Sequence, residues 1–202
     1  MKLETIVFDW SGTISNDFEP VLNSINFVLQ SFGKSKVNAK FFRNNYKADP
    51  YEFYFMCGVR ADSKRTIELF RENYSREKPP VLIDGAGETL QHLHSKGIDS
   101  YVVSSHPMSA LLDEIERYGL SDIFPSHKVI GDSDNKADSI LSLKLNGSSA
   151  IVGDTHVDIE AGKKLGMKTI AVLSDYQSKN KLMYYCPDCI LNSIRELPWI
   201  LE

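Results

Sequence analysis

From Val81 onward the sequence alternates short apolar runs with amphipathic stretches closed by glycine, and no other feature limits the possible folds so strongly. Ile98 to Val103 reads as a strand that ends at Ser104-Ser105-His106-Pro107. Lys128 to Gly131, Ala150 to Val152, Thr169 to Leu173 and Ile190-Leu191 read the same way. Between them lie helical patterns: Glu88 to His94, Met108 to Tyr118 with Leu111, Leu112 and Ile115 on one face, Lys136 to Leu145, Val157 to Leu165, and Ile194 to Leu201. Gly97, Gly119, Gly147 and Gly166 stand where helices end. Strands that alternate with helices imply right-handed βαβ units and a parallel sheet, so the expected class is α/β with helices on both sides of the sheet.

The first strand of that sheet lies far from the rest. Ile6-Val7-Phe8 is a short apolar run that ends at Asp9 and the turn Ser11-Gly12-Thr13. Ligands of open α/β sheets bind beyond the carboxyl ends of the strands, where Asp9 falls. A carboxylate there, with hydroxyls and free backbone N–H groups, could hold a metal and a phosphate. The same residues also fit an Asp-initiated turn that does no chemistry. The following residues read as helices: one capped near Asn16-Asp17 with Val21, Ile25, Val28, Leu29 and Phe32 on one face, one over Phe41 to Tyr46, one over Tyr51 to Met56, and one capped at Asp62 or Ser63. Pro79-Pro80 stops the last of them. The expected organisation is an α/β core from residues 1–14 and 85–202, a three-layer Rossmann-like sheet. Residues 15–84 form an inserted α-helical cap at its carboxyl edge.

Composition removes several classes of function. The 202 residues carry a formal net charge of −4, with 42% hydrophobic and 25% charged residues. That is ordinary for a soluble protein, and it gives no electrostatic reason to expect nucleic acid or an anionic membrane as partner. The first apolar run is too short for a signal-peptide core or a membrane span. Three cysteines and no secretory pattern lead to the expectation of a reducing cytoplasm. Monomer and homodimer are both open.

Four polar positions then stand at or near strand ends: Asp9 with Thr13, Ser104, Lys136, and Asp154 with Asp158. Phosphoryl transfer through a carboxylate needs these residue types. One Asp attacks phosphorus, a divalent cation neutralises charge, a lysine spans nucleophile and phosphate, and hydroxyls bind the equatorial oxygens. Magnesium takes oxygen ligands, commonly one or two carboxylates with substrate phosphate.

On these residues the chain resembles the haloacid dehalogenase superfamily, most of all its phosphoglycolate-phosphatase-like branch with a small helical cap. Asp9-Trp10-Ser11-Gly12-Thr13 resembles the first motif, Val102-Val103-Ser104-Ser105 the second, and Lys136 the third. The run from Gly153-Asp154-Thr155-His156-Val157-Asp158 through Gly162 and Gly166 resembles the fourth and is the most specific. The resemblance implies a Mg²⁺-dependent phosphatase acting on a small phosphorylated metabolite through an aspartyl-phosphate. Asp9 would be the nucleophile. Asp9, Asp154 and the backbone carbonyl of Ser11 would bind Mg²⁺, and Asp158 would support it directly or through water. Thr13, Ser104, the Ser105 amide and Lys136 would hold the phosphate.

One position departs from that pattern. Phosphatases of this family usually carry a second Asp two residues after the nucleophile, as proton donor and then activator of water; here that residue is Ser11. A serine hydroxyl does not shuttle protons near neutral pH as a tuned carboxylate does, and losing such help costs about 10²–10⁴-fold in rate. Three outcomes follow. The enzyme is slow and favours acidic leaving groups, or another group such as His106 or a cap residue is recruited. Otherwise the chemistry is carbon–phosphorus cleavage like that of phosphonoacetaldehyde hydrolases, with a cap lysine such as Lys47 forming a Schiff base. A phosphate-ligand sensor that retained the site and lost turnover is a further alternative of another class.

Other signals carry less. Cys186-Pro187-Asp188-Cys189 has the spacing of half a zinc site, but no second pair exists in the chain to complete four ligands. His92 and His94 are expected at the surface, and His127 at the start of a strand. Trp10 is expected to pack between core and cap. Tyr46, Tyr51, Phe53, Tyr54 and Phe55 are expected in the core of the cap, with one or two of them facing the crevice.

Overall fold

The computed structural model describes residues 3–45, 50–145 and 147–201. Contacts divide the chain into two compact units: Met1–Asn16 with Val81–Glu202, and Asp17–Pro80.

The first unit is an α/β fold, as expected. Its strands, in chain order, are β1 (Thr5–Phe8), β2 (Ser15–Asn16), β3 (Val81–Leu82), β4 (Asp99–Val103), β5 (Val129–Ile130), β6 (Ser149–Gly153), β7 (Lys168–Val172) and β8 (Cys189–Leu191). Six of them form one sheet in the order β5-β4-β1-β6-β7-β8, and every pairing in it is parallel. β1 lies centrally, with Phe8 level with Val102 on one side and Val152 on the other. The chain runs outward from β1 through β4 to β5, then crosses back to β6 on the far side of β1. That reversal is the switch point at which an open sheet parts its loops and leaves a crevice beyond the strand ends.

The pleat explains why β1 is apolar at every position. Ile6 and Phe8 point into one hydrophobic cluster, and Val7 into another. The first cluster takes in Ala86, Leu90 and Leu93 of a helix at Ala86–Ser95, Leu111 and Ile115 of one at Met108–Arg117, and Leu197 near the C-terminus. The second takes in Ala137 and Ile140 of a helix at Lys136–Ser142 and Ala161 of one at His156–Lys164. A parallel sheet is buried on both faces because its crossovers lay helices over both. Each fully buried Ile, Phe or Leu contributes about 1.5–3 kcal/mol, so these two clusters dominate the stability of the unit.

Several boundaries differ from the sequence reading. β2 and β3 pair antiparallel, Ser15 with Leu82 and Asn16 with Val81. This ribbon fastens the two chain segments between which the insertion leaves and returns, and it places in the α/β unit residues that the pattern alone gave to the insert. His127 does not begin a strand; it lies in a 3-10 turn, Ser126–Lys128, just before β5. The helix starting at Lys136 stops at Ser142 rather than Leu145, and Lys144 takes a φ of +51°. A helix over Lys179–Tyr184 has no counterpart in the sequence reading. Ser178 caps it, but Leu182 is its only buried residue, so it shows no apolar stripe. The chain ends in a 3-10 turn, Ile194–Glu196, and a short helix, Leu197–Leu201.

Among the described residues the second unit holds four helices, Phe18–Ser31, Ala39–Asn45, Pro50–Met56 and Ser63–Tyr74. The first buries Ile25, Val28 and Leu29. The last starts at Asp62, whose carboxylate accepts the Arg65 N–H at 2.8 Å. Phe42, Phe53 and Tyr54 are buried here, with the Phe42 and Phe53 rings 5.4 Å apart. Phe55 is not part of that core: it is 48% exposed, and the Arg60 guanidinium covers its ring at 3.8 Å. Tyr46 and Lys47 lie outside the described residues. Among the described residues no helix is long and apolar enough to cross a membrane.

Candidate active site

The turn after β1 is wound tightly on one carbonyl. Trp10 O accepts N–H bonds from Thr13, Ile14 and Ser15 at 3.2, 2.8 and 2.9 Å. Gly12 takes a φ of +72°, and a Cβ there would lie 2.2 Å from Asp154 Oδ2. Only glycine therefore allows this backbone to close against the loop after β6. At the base of the turn the Asp9 N–H is held by Val152 O at 2.9 Å.

Asp154 follows β6 directly and is fully buried. Ser174, just past β7, donates to its Oδ2 at 2.5 Å, and Thr13 Oγ1 donates to its Oδ1 at 3.5 Å. Asp158 lies in the first turn of the helix at His156–Lys164. Its Oδ2 accepts both the N–H and the hydroxyl of Thr155, at 3.0 and 2.8 Å, which closes the N-terminus of that helix. A Cβ on Gly153 would lie 2.1 Å from Asp158 Cγ, so the strand end must be glycine for the carboxylate to fold back over it. Lys136 is the first residue of its helix. Its ammonium reaches Asp9 Oδ1 at 2.9 Å and Asp158 Oδ1 at 2.5 Å.

Asp9, Asp154, Asp158 and Lys136 thus converge from two strand ends and two helix starts. The three carboxylates each present an oxygen within 4.8 Å of the others, and all three residues are buried. Burial is the largest influence on Asp154 and pushes its carboxyl well above the usual range; the charges of Asp9 and Asp158 push the same way. Burial also raises Asp9, against the pull of Lys136. For Lys136 burial opposes the ammonium, but Asp158 and Asp9 together more than offset it, and its pKa is raised. With all acids ionised, three negative charges face one positive charge, leaving −2. Hard oxygen donors with that residual charge fit a Mg²⁺-sized divalent cation. Among the described residues this is the one group of such side chains close enough to share an ion. The three cysteines are free thiols.

Other residues singled out from the sequence fall as follows. Ser104 is buried at the end of β4, its N–H on Ile130 O at 2.9 Å and its hydroxyl accepting the His106 N–H at 3.3 Å. Ser105 is exposed. Ser11 Oγ lies 3.4 Å from His106 Nδ1. Trp10 packs wholly in the hydrophobic core of the α/β unit, stacked on Tyr118 at 5.9 Å and edge-on to Phe124 at 6.4 Å; this corrects the expectation that it lies between core and cap. A two-ringed side chain fits there because its one polar atom, Nε1, donates to Glu114 at 2.7 Å.

Two residues of this neighbourhood were missed by the sequence reading. Ser174 carried only a positional signal, being a hydroxyl just past a strand. Glu114 carried a better one: helical spacing sets it with Leu111 and Ile115 on the buried face, where a carboxylate needs donors.

A parallel sheet with its chemistry at the switch point, built on acids and a lysine, defines a class of α/β hydrolases. The family profile of haloacid dehalogenase-like hydrolases matches residues 6–172, and the chain belongs to that family. It is 27% identical to a phosphoglycolate phosphatase of Aquifex aeolicus, over 99% of this chain and 97% of that protein. It is 24% identical to the pyrophosphatase PpaX of Halalkalibacterium halodurans, over 98% and 96%. Among solved structures, a haloacid dehalogenase-like hydrolase from Streptococcus pneumoniae superposes with a TM-score of 0.84 at 20% identity, covering 99% of each chain. The chain is a phosphatase-like hydrolase of this family.

Proposed function

We propose that the protein hydrolyses a small organic phosphomonoester through an aspartyl-phosphate on Asp9, with Mg²⁺ as its cofactor. The observation that carries this reading is the Asp9 carboxylate, held by the Lys136 ammonium at 2.9 Å within the acidic cluster. Asp9 and Asp154, with the Ser11 carbonyl, would hold the cation. Asp158 has one oxygen on Lys136 and the other on Thr155, so its part is to fix Lys136 and support the site from behind. Bound Mg²⁺ would offset the charge of the phosphate and of the carboxylates.

The steps belong to the side chains. Asp9 attacks phosphorus, forming a carboxyl–phosphate bond while the bond to the leaving oxygen breaks with its electron pair. Lys136 aligns the attacking carboxylate and balances the phosphoryl charge, with Thr13, Ser104 and the Ser105 amide as further phosphate contacts. Water then opens the aspartyl-phosphate, releasing inorganic phosphate and restoring Asp9, and the proton this water gives to solvent balances the one the leaving oxygen takes from it. The test is phosphate release from an activated aryl phosphate with and without Mg²⁺, for the wild type and Asp9→Asn. Equal activity in the two proteins would refute the mechanism.

A further inference from the structure

One stretch of the insertion carries charge opposite in sign to that of the whole chain. The protein has a formal net charge of −4, yet between Glu19 and Asp49 its only charged residues are Lys34, Lys36, Lys40, Arg43 and Lys47. Two of these cations meet in a cavity of about 490 Å³, lined by residues 33–38, Phe41 and Cys57. All of the lining belongs to the second unit.

The loop that forms the cavity is held from behind. The N–H groups of Gly33 and Lys34 close on Gln30 O and Leu29 O, both at 2.9 Å. Asn26, buried on the helix at Phe18–Ser31, accepts the Val37 N–H on its Oδ1 at 2.7 Å. Its Nδ2 donates back to Val37 O at 3.0 Å. Asn38 Oδ1 accepts the Phe41 N–H at 2.8 Å. The backbone of this loop is therefore fixed by the protein itself, which lowers the ordering cost of binding there.

The chemistry of the lining is one-sided. No carboxylate lines the cavity among the described residues. A Cβ on Gly58 would lie 3.4 Å from Lys34 Nζ, so that ammonium lies over the wall that carries Cys57. Among the described residues neither Lys34 nor Lys36 has an ion-pair partner. Two like charges left in one concavity favour an anion there, and ammonium groups hold phosphate as point charges. The Ser35 hydroxyl and Asn38 Nδ2 add neutral donors. Phe41, 41% exposed, adds an apolar wall. The volume is that of a small-molecule site.

We propose that this cavity is a binding site for a small phosphorylated compound, its phosphate held by Lys34 and Lys36 and its apolar body laid on Phe41. The site does not rest on the function proposed above.

The experiment is a titration of nitrogen-labelled full-length protein with phenylphosphonate, in chelator and at constant ionic strength, followed by amide NMR. Saturable shifts are expected at residues 34–38 and at Cys57; shifts at residues 9–13 and 153–158 report the acidic cluster and are read apart. Lys34→Gln and Lys36→Gln are each expected to weaken the binding read at the loop about tenfold, the worth of a hydrogen bond to a charged group. Their spectra elsewhere stay as in the wild type, which reports an intact fold. Phe41→Ala weakens phenylphosphonate and leaves inorganic phosphate unchanged, and neutral benzyl alcohol gives no loop shifts. Absence of loop shifts, binding that survives both lysine substitutions, or an equal response to benzyl alcohol would overturn the inference. So would undiminished binding in Phe41→Ala, or loop shifts with heparin or anionic vesicles and none with phenylphosphonate.

Discussion

Lys136 Nζ lies 2.9 Å from Asp9 Oδ1, and both side chains are almost wholly buried. An ammonium at the centre of such a cluster is a structural necessity, because its loss leaves Asp9 and Asp158 facing each other out of water. Lys136→Met keeps the length and removes the charge. Breaking a buried pair on one side costs about 3–5 kcal/mol. That loss is expected in urea unfolding of the metal-free protein, together with a fall of at least about 10²-fold in turnover. A variant as stable as the wild type would mean that the carboxylates are neutral without the lysine.

The crowded charges of the acidic cluster oppose folding, so neutralisation and Mg²⁺ are each expected to stabilise the protein. Burial, then Asp9 and Asp158, hold the Asp154 carboxyl well above its usual 3.8. An acid raised by folding opposes the folded state once ionised. The penalty is absent below its unfolded value, grows as pH rises, and is complete above the raised folded value. Asp154→Asn is therefore expected to raise the melting temperature of the metal-free protein at neutral pH. Mg²⁺ at a hundredfold excess over its Kd stabilises the wild type by about 2.7 kcal/mol, and the variant by much less. Calorimetry in chelator and in Mg²⁺ measures both. A lower melting temperature for the variant in chelator would contradict the reading that burial and its acidic neighbours disfavour the ionised Asp154.

Ser174 Oγ donates to Asp154 Oδ2 at 2.5 Å and itself accepts the Tyr176 N–H at 2.9 Å. Those two bonds fix the rotamer of the carboxylate. Loss of such a supporting bond typically weakens metal binding about 10–100-fold. Ser174→Ala is expected to shift the Mg²⁺ concentration for half-maximal activity upward within that range, with turnover at saturating Mg²⁺ changed far less. An unshifted Mg²⁺ midpoint would remove Ser174 from the site.

The sheet and the turn after β1 were legible because period and punctuation agree there: apolar runs of strand length, each followed by a polar residue and a helix closed by glycine. Asp9, Lys136, Asp154 and Asp158 could be named because each falls at such a junction. The helix at Lys179–Tyr184 was not legible, since a helix with one buried side chain leaves no periodic trace. The ribbon of Ser15–Asn16 with Val81–Leu82 was hidden by its shortness, two residues on each side. Ser174 and Glu114 act through partners 20 and 104 residues away, and long-range pairing of polar atoms has no local signature. Trp10 was misplaced for the same reason: its partner, Glu114, comes to it only through the fold.

Glu114 yields a prediction with a definite sign in pH. Burial pushes its carboxyl upward, but the bond and charge of His106, with the donors Trp10 and Ser15, outweigh burial and hold it below its ordinary 4.5. An acid lowered by folding contributes stability that is complete above the unfolded value and is lost as pH falls through the folded one. Glu114→Gln gives up the charge that those donors face, a loss of about 1.5–3 kcal/mol for a hydrogen bond to an ionised group. At about 2–4 °C per kcal/mol for a chain of this size, the variant should melt several degrees lower at neutral pH. The gap should narrow as pH falls below about 4.5, because the wild type then loses what the variant never had. Melting curves of both proteins across that range decide the matter: a gap that stays constant with pH would mean that Glu114 is held as a neutral acid.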